Sequence, residues 1–554
     1  MPIQPYIPDS GVLKFEILVP DKNEGLDSLL MDAEVHFELN KIPSAKFRFT
    51  ASNQDINNGE KLASDTLKEK DEITFNIFSG NTKKTLFKGI IKSVEKVQTE
   101  NQIYTKIECK DKTFGMTFPA AAAEINDQTF DDKLGLLAKN IQVDASLTGK
   151  EWGKEKITHN SSTLPWDFVL AYFDSIGIAI AAKNGELKGV DILEAGTEKY
   201  FAENGINVFS FSGKSDDSKK LKKATIEYWD PGSQSMQKSE AEQDAVNPNI
   251  KTISLNENRF SQGTIKRMVD TLLKKSDLRT IQGKVLTFGN LQAGVGDYMM
   301  CNKVNSKIDN KLLFITAEHH IIENANWKTE YTFGLEAEST FAESTGKQVG
   351  NPQAQIGQTN AISGLLIGIV LKIEEDPLNE FRIKVRIPAL SANGDGIWAR
   401  LATLNASTEM GSFFIPNVND EVILGCLGNN PDTPVILGSV YSSAIKPPFP
   451  IAKENYIKGF VTKEGTKIVL DDEKKVIELS TKKGNKLLIT DDQKGFILED
   501  ENKNKIIMNQ DGITIESSKD LIMKAKGNIQ MESAAAKMKA SGNMELKGSM
   551  IKLN

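Results

Sequence analysis

The chain has 554 residues, 39% hydrophobic and 26% charged, enough for three or four domains with cores of their own. Its net charge of −7, from 68 basic and 75 acidic residues, argues against a dedicated nucleic-acid protein, whose phosphate contacts want a basic surface. Cys109, Cys301 and Cys426 form an odd, sparse set, so reduced core thiols are expected in place of a disulfide framework.

The start, MPIQPYIPDS, has no basic n-region or apolar h-region. Cytoplasmic synthesis without a signal peptide is therefore expected, and delivery outside the cell would need another carrier. The longest apolar run, GLLIGIVL (364–371), is far below the ~20 residues of a spanning helix.

Residues 11–115 read as β, since VLKFEILVP, AEVHFELNKIPSAKFRFTA and KIECK all alternate. Phe130, Leu134, Leu137 and Ile141 then fall on one helical face. Pro165 opens a second helix, with Trp166, Val169, Leu170 and Phe173 on one side. IAIAAKNGELKGV reads as a hairpin turning at Asn184-Gly185. After a helix over 264–275, the β signal returns in GKVLTF, GDYMM, KLLFITAEHHII and WKTEYTFGL, which predict a second small barrel. Residues 342–362 are small and polar, a linker composition. Residues 364–441 hold five or six short strands, GSFFIP among them, joined by turns such as EEDPLNE and GNNPDTP. That pattern predicts an oligonucleotide/oligosaccharide-binding (OB) barrel.

From Ile468 an apolar-x-apolar pair recurs. It begins as Ile468/Leu470, Ile477/Leu479, Leu487/Ile489 and Phe496/Leu498. It continues as Ile506/Met508, Ile513/Ile515, Leu521/Met523, Ile529/Met531, Ala536/Met538, Met544/Leu546 and Ile551/Leu553. The first four steps are 9, 10, 9 and 10 residues, the rest 7 or 8, so a hairpin-like repeat becomes octad-like near residue 506. Eight residues span only ~26 Å, one strand and a corner, too little for one chain to close a three-sided coil. Ordering them costs about 12 kcal/mol. Burying two apolar side chains returns about 3–6 kcal/mol. Three chains, each giving one side of every rung, can enclose the stripe and pair the backbone. The repeat therefore predicts a homotrimeric needle. Its expected core is Ile506, Met508, Ile513, Ile515, Leu521, Met523, Ile529, Met531, Met538, Met544, Leu546, Ile551 and Leu553. An ordinary monomeric β-domain is the plainer alternative, which eleven nearly even pairs argue against.

GSFFIPNVNDEVILGCLGNNPDTPVILGSVYS (411–442) followed by this tail resembles the VgrG proteins, the spikes of type VI secretion and related contractile injection systems. These correspond to the fused hub and needle of contractile phage tails. The resemblance rests on Gly411, Phe413, Phe414 and Pro416, on Asp420, Glu421 and Val422, and on Pro431, Asp432, Pro434, Leu437, Gly438, Ser439 and Tyr441. LPWDFVLAYFDSIGI and WKTEYTFGL are similar to the family's hub region.

The implied fold is mainly β. It has a hub barrel over 1–115, an α+β insertion over 116–200, a second hub barrel over 201–341 and a linker over 342–362. An OB-fold domain over 363–450 and an intertwined trimeric β-helix needle over 451–554 complete it. The implied partners are two further copies, a hexameric inner-tube protein, baseplate proteins, effectors, a target membrane met in transit, and a PAAR-type cap. The cap would sit on the tip at Ile551, Lys552, Leu553 and Asn554. The resemblance implies no catalytic residue, cofactor or metal. A cell-wall-lytic phage hub is the enzymatic alternative, but only residues 442–467 are available for a domain between OB unit and needle.

Other motifs read as structural. His319-His320 point to opposite faces of a strand, so a shared metal there is not expected. His36 and His159 have no ligand-spaced partner nearby in sequence. Cys426 reads as strand core, and the paired aspartates at 471–472 and 491–492 as solvated turn charges. Arg382, Lys384 and Arg386 alternate with apolar residues and predict a basic strand face, solvated or between subunits. An OB nucleic-acid binder is the alternative there, but no aromatic is interleaved for stacking and no nucleic-acid partner is expected.

Overall fold

In the computed structural model the described residues are 4–7, 13–22, 25–51, 63–79, 82–100, 102–119, 128–157, 163–255, 260–324, 326–336, 361–390, 394–492 and 495–552. Residues 342–360 of the linker expected at 342–362, His159 and the tip residues Leu553 and Asn554 lie outside them. The chain divides into two compact units, Met1–Val440 and Tyr441–Asn554.

The first unit is built on one long sheet. Its order runs Lys14–Leu18, Glu72–Ser79, Thr82–Gln98, Ile103–Lys110, Ser44–Ala51, Leu30–Glu38, Leu312–Glu323, Asn326–Phe333, Ile281–Phe288 and Val208–Ser215. Strict alternation explains why these segments are strands. In Leu30–Glu38, Ala33, Val35 and Phe37 are buried while Glu34, His36 and Glu38 face away. Two apolar cores lie along the sheet. Phe47, Phe49, Phe75 and Phe87 centre the one from the N-terminal strands; Tyr200, Tyr331, Phe333 and Met299 centre the other. The two regions meet where Leu30–Glu38 pairs antiparallel with Leu312–Glu323.

A third core holds the helices. Thr129 and Asp132 close a capping box on helix Phe130–Leu137. That helix stops before Ile141, which still packs against the same core. Helix Pro165–Ser175 starts on its proline and buries Trp166, Phe168, Tyr172 and Phe173. The hairpin Ile178–Lys183/Glu186–Asp191 turns on Asn184 and Gly185, both at positive φ. Helix Gln262–Leu278 lies against a separate three-stranded sheet of Leu221–Asp230, Ser235–Glu242 and Asn249–Leu255.

This sheet and helix fall inside the stretch 201–341 expected as the second hub barrel. Residues 221–278 form their own layer, because Ala224, Ile226, Ile265, Met268 and Val269 are buried with the insertion's helices. The alternation in KATIEYWD and SMQKSEAE marked these strands as β but not which core they would join.

Residues 365–439 form a closed five-stranded barrel. The order is Leu365–Lys372, Ile383–Arg386, Ile397–Leu401, Pro434–Ser439 and Glu421–Cys426, returning to the first. Val370, Ile383, Val385, Ala399, Val422, Leu424 and Ile436 fill it. GSFFIP, expected as a strand, contributes only Gly411 to a two-residue pairing with Ala406–Ser407. Pro416 has no N–H for a ladder, and Phe413 and Phe414 project outward.

The second unit is an antiparallel meander of seven strands, from Ile457–Val461 to Gly512–Glu516. Among the described residues there is no strand from 517 to 552. No helix of the described chain is long and apolar enough to cross a membrane.

Candidate functional site

The seven meander strands are each five residues long, and their turns repeat. Thr462–Thr466, Thr481–Asn485 and Asp500–Asn504 have the same length, and their fourth residues, Gly465, Gly484 and Lys503, are all left-handed. The side-chain oxygen of Asp500 accepts from the N–H groups of Asn502 and Asn504. Equal turns give equal register shifts, and equal shifts bring the apolar pairs opposite one another.

Ile468 faces Leu479 and Leu470 faces Ile477. Ile477 faces Ile489 and Leu479 faces Leu487, which in turn faces Leu498. Phe496 faces Met508, Leu498 faces Ile506, Ile506 faces Ile515 and Met508 faces Ile513. Directly opposed residues share a face, so one apolar stripe two side chains wide crosses all the strands from Lys467–Asp471 onward. At ~4.8 Å per strand the seven-stranded sheet is about 29 Å long. The hairpins extend to Glu516, one strand further than the change of step at 506 suggests, because a two-residue turn links Lys505–Asn509 to Gly512–Glu516.

Within one chain this stripe has no cover. Ile468, Leu479, Leu498 and Ile506 are 38–46% exposed, and Ile513 is 68% exposed. From residue 511 to 552 every residue is exposed, including Leu521, Met523, Ile529, Met531, Met538, Met544, Leu546 and Ile551. The pairs through Ile513/Ile515 find strand partners within the chain; among the described residues those from Leu521/Met523 onward do not.

The OB residues separate by role. Val422, Pro431, Asp432 and Pro434 are buried, and the Asp420 carboxylate accepts from the Asn417 N–H, closing the turn before Glu421. Phe413 at 86% and Phe414 at 65% exposure, with Leu404 and Met410, make an apolar patch on the outside of the barrel; Leu437 and Tyr441 are exposed as well.

Arg382 drops out of the expected basic face, while Lys384 and Arg386 stay half-exposed on it. Arg382 is 5% exposed and its guanidinium grips Asp376 through Nε and Nη2. Burial opposes ionisation of Asp376, but Arg382 and the N–H groups of Leu378, Arg382 and Glu380 hold its carboxyl well below the usual range. Lys384 lies 6.0 Å over the Trp398 ring. One of the three cations is thus buried in an ion pair and a second lies over a ring. Burial wins because Asp376, in the preceding turn, supplies the counter-charge; an Asp six residues before an Arg was the only sequence signal.

His36, which lacked a partner in sequence, lies directly opposite His319. His320 is buried on the other face beside Thr329. Cys109 and Cys301 are buried, and burial pushes the Cys426 thiol up to about 11, so it is no nucleophile near neutrality. Among the described residues no three His, Cys, Asp or Glu side chains converge to hold a metal ion.

Comparison with known proteins agrees with this architecture. The type VI secretion system/phage-baseplate injector OB domain matches residues 366–441, the closed barrel. The Alg8 N-terminal domain matches residues 9–324, more than half of the chain. No curated protein matches by sequence. Among solved structures, the lidded PdpA-VgrG complex of Francisella aligns over 91% of this chain and 80% of its own, with 12% identity and TM-score 0.51. The c3393 protein of E. coli, a type VI secretion component with structural similarity to the T4 tail proteins gp27 and gp5, aligns over 77% of this chain and 100% of its own. Its identity is 11% and its TM-score 0.50. The fold is that of VgrG-type spikes. The chain belongs to the Alg8 N-terminal domain family, and joins that domain to an injector OB barrel.

Proposed function

We propose that three copies of this chain form the hub and needle of a contractile injection machine, and that the role is structural. The observation that carries the reading is the in-register apolar stripe, left bare in a single chain and continued from Leu521/Met523 by pairs that have no strand partner among the described residues. Three copies arranged about an axis would turn the stripes inward and pair the remaining backbone between chains. The exposed Phe413–Phe414 patch would serve as a collar contact between barrels. In this reading the sheet-built first unit meets an inner-tube protein and the baseplate, the tip at Ile551 and Lys552 takes a small cap of PAAR type, and effectors ride on cap or spike. The needle would concentrate the force of contraction on a target envelope.

The solution mass of the full-length chain tests the reading. A mass of about three times 61.1 kDa supports the shared needle; a 61.1 kDa monomer with a protease-protected C-terminal region overturns it.

A further inference from the structure

The chain has four histidines, and three of them, His36, His319 and His320, sit on one strand pairing. Among the described residues this pairing, Leu30–Glu38 with Leu312–Glu323, is the only backbone ladder between the N-terminal strands and those of residues 198–333. His36 and His319 are direct cross-strand partners, with ring centroids 5.7 Å apart and planes at 68°. Both are partly exposed, so protons reach them. His320 faces the other way, fully buried against Phe37, with Nδ1 3.0 Å from Thr329 Oγ1.

The charges around the pair do not anchor a doubly protonated state. The nearest carboxylate to His36 is Glu38, 3.9 Å away and already paired with Lys41 at 2.6 Å. For His319 it is Glu34 at 3.7 Å, while Glu330 on the next strand is engaged by Lys284 at 3.0 Å. No carboxylate is within hydrogen-bonding distance of either ring, and Lys41, Lys284 and the neighbouring histidine all oppose added positive charge.

We propose that this seam is a proton-sensitive joint. Protonating His36 and His319 sets two like charges directly opposite each other across the strand pairing that, among the described residues, alone joins the two halves of the sheet, and the pairing loosens in acid. Burial is the largest cause and lowers both pKa values below the ordinary value, prevailing over the pull of Glu38 on His36 and of Glu34 and Glu330 on His319. A neighbouring histidine ring and Lys284 add smaller lowering effects on each, with Lys41 on His36. The folded state therefore binds these protons less well than the unfolded one. Its stability is whole above about pH 6.5 and is lost progressively as pH falls below that. The inference stands apart from the trimer, since both strands belong to one chain.

Hydrogen–deuterium exchange on the full-length protein at about pH 7.5 and about pH 5.5, corrected for intrinsic rates, tests it. Peptides covering 30–38 and 312–323 are compared with the histidine-free pairing of 72–79 with 82–98. The seam is expected to open more at the lower pH, by up to about tenfold for each unit by which folding lowers a histidine pKa. The His36→Gln/His319→Gln variant removes that difference. Should the double variant fail to fold, His36→Gln alone, at the more exposed of the two rings, is expected to reduce it. Seam protection that changes no more than the control strands, or a pH effect that survives the substitutions, overturns the proposal.

Discussion

Ile513→Asp separates the fold of a single chain from its assembly. Ile513 lies on strand Gly512–Glu516 opposite Met508, and in one chain 68% of it remains exposed. Fully burying an isoleucine stabilises by about 1.5–3 kcal/mol. Most of that is unrealised in the lone chain, so assembly stands to gain about 1–2 kcal/mol per copy, or about 3–6 kcal/mol for three. At 1.4 kcal/mol per decade this is a loss of about 10² to 10⁴ in the trimer association constant, before the cost of crowding three carboxylates around one axis. The far-UV circular dichroism of dilute protein should hardly change, because the aspartate stays in water there. Sedimentation over a concentration series should show dissociation of the variant where the parent stays assembled. A variant with the parent's mass and concentration dependence would refute the idea that the stripe is the subunit interface.

Other sites give sharper local tests. Arg382→Met strands the 6%-exposed Asp376 without its partner and should cost about 3–5 kcal/mol in barrel stability, read by thermal unfolding. Because the Asp376 pKa is depressed in the fold, its contribution is present above about pH 3.9 and is lost as pH falls toward the folded value. The variant's melting temperature should therefore fall less between neutral and strongly acidic pH than the parent's; an equal fall would contradict the clamp. At Gly495 an added Cβ would sit 1.7 Å from the Met508 carbonyl oxygen. Gly495→Ala should force the hairpin apart by about 1–3 kcal/mol, visible as new protease cleavage near 495–509, and an unchanged digestion pattern would count against this register. Lys503 holds φ 70° where its counterparts Gly465 and Gly484 hold 82° and 100°. Lys503→Gly should relieve up to about 1 kcal/mol of left-handed strain, and a clear loss of stability would mean that the pair of exposed Lys503 with Glu499 outweighs it.

Much of the architecture was written in local patterns. The ladder is legible because a β period of two and a repeat of 9 or 10 residues are one-dimensional facts, and a meander with regularly recurring turns converts them directly into a stripe. Gly465 and Gly484, which the structure places at left-handed corners, fit the same local logic, since such a corner selects glycine. The buried half of the barrel signature, Val422 with Pro431 and Pro434, belongs with them: its apolar strands and tight turns are a local pattern too.

Charge and partnership across distant strands were not legible. Arg382 looked solvated because alternation says which residues share a face and nothing of what covers that face; the tertiary position of Asp376 buried it. His36 and His319 are 283 positions apart, and only sheet order made them neighbours. Strands 221–255 carry an ordinary β pattern, and their membership of the helical core was decided by helix Gln262–Leu278 closing over them. The sequence by itself determined periodicity, turns and the surplus of apolar surface, because those follow from neighbouring residues. Sheet order, burial of charge and the pairing of histidines needed the tertiary structure, because they depend on which distant segments the chain brings together.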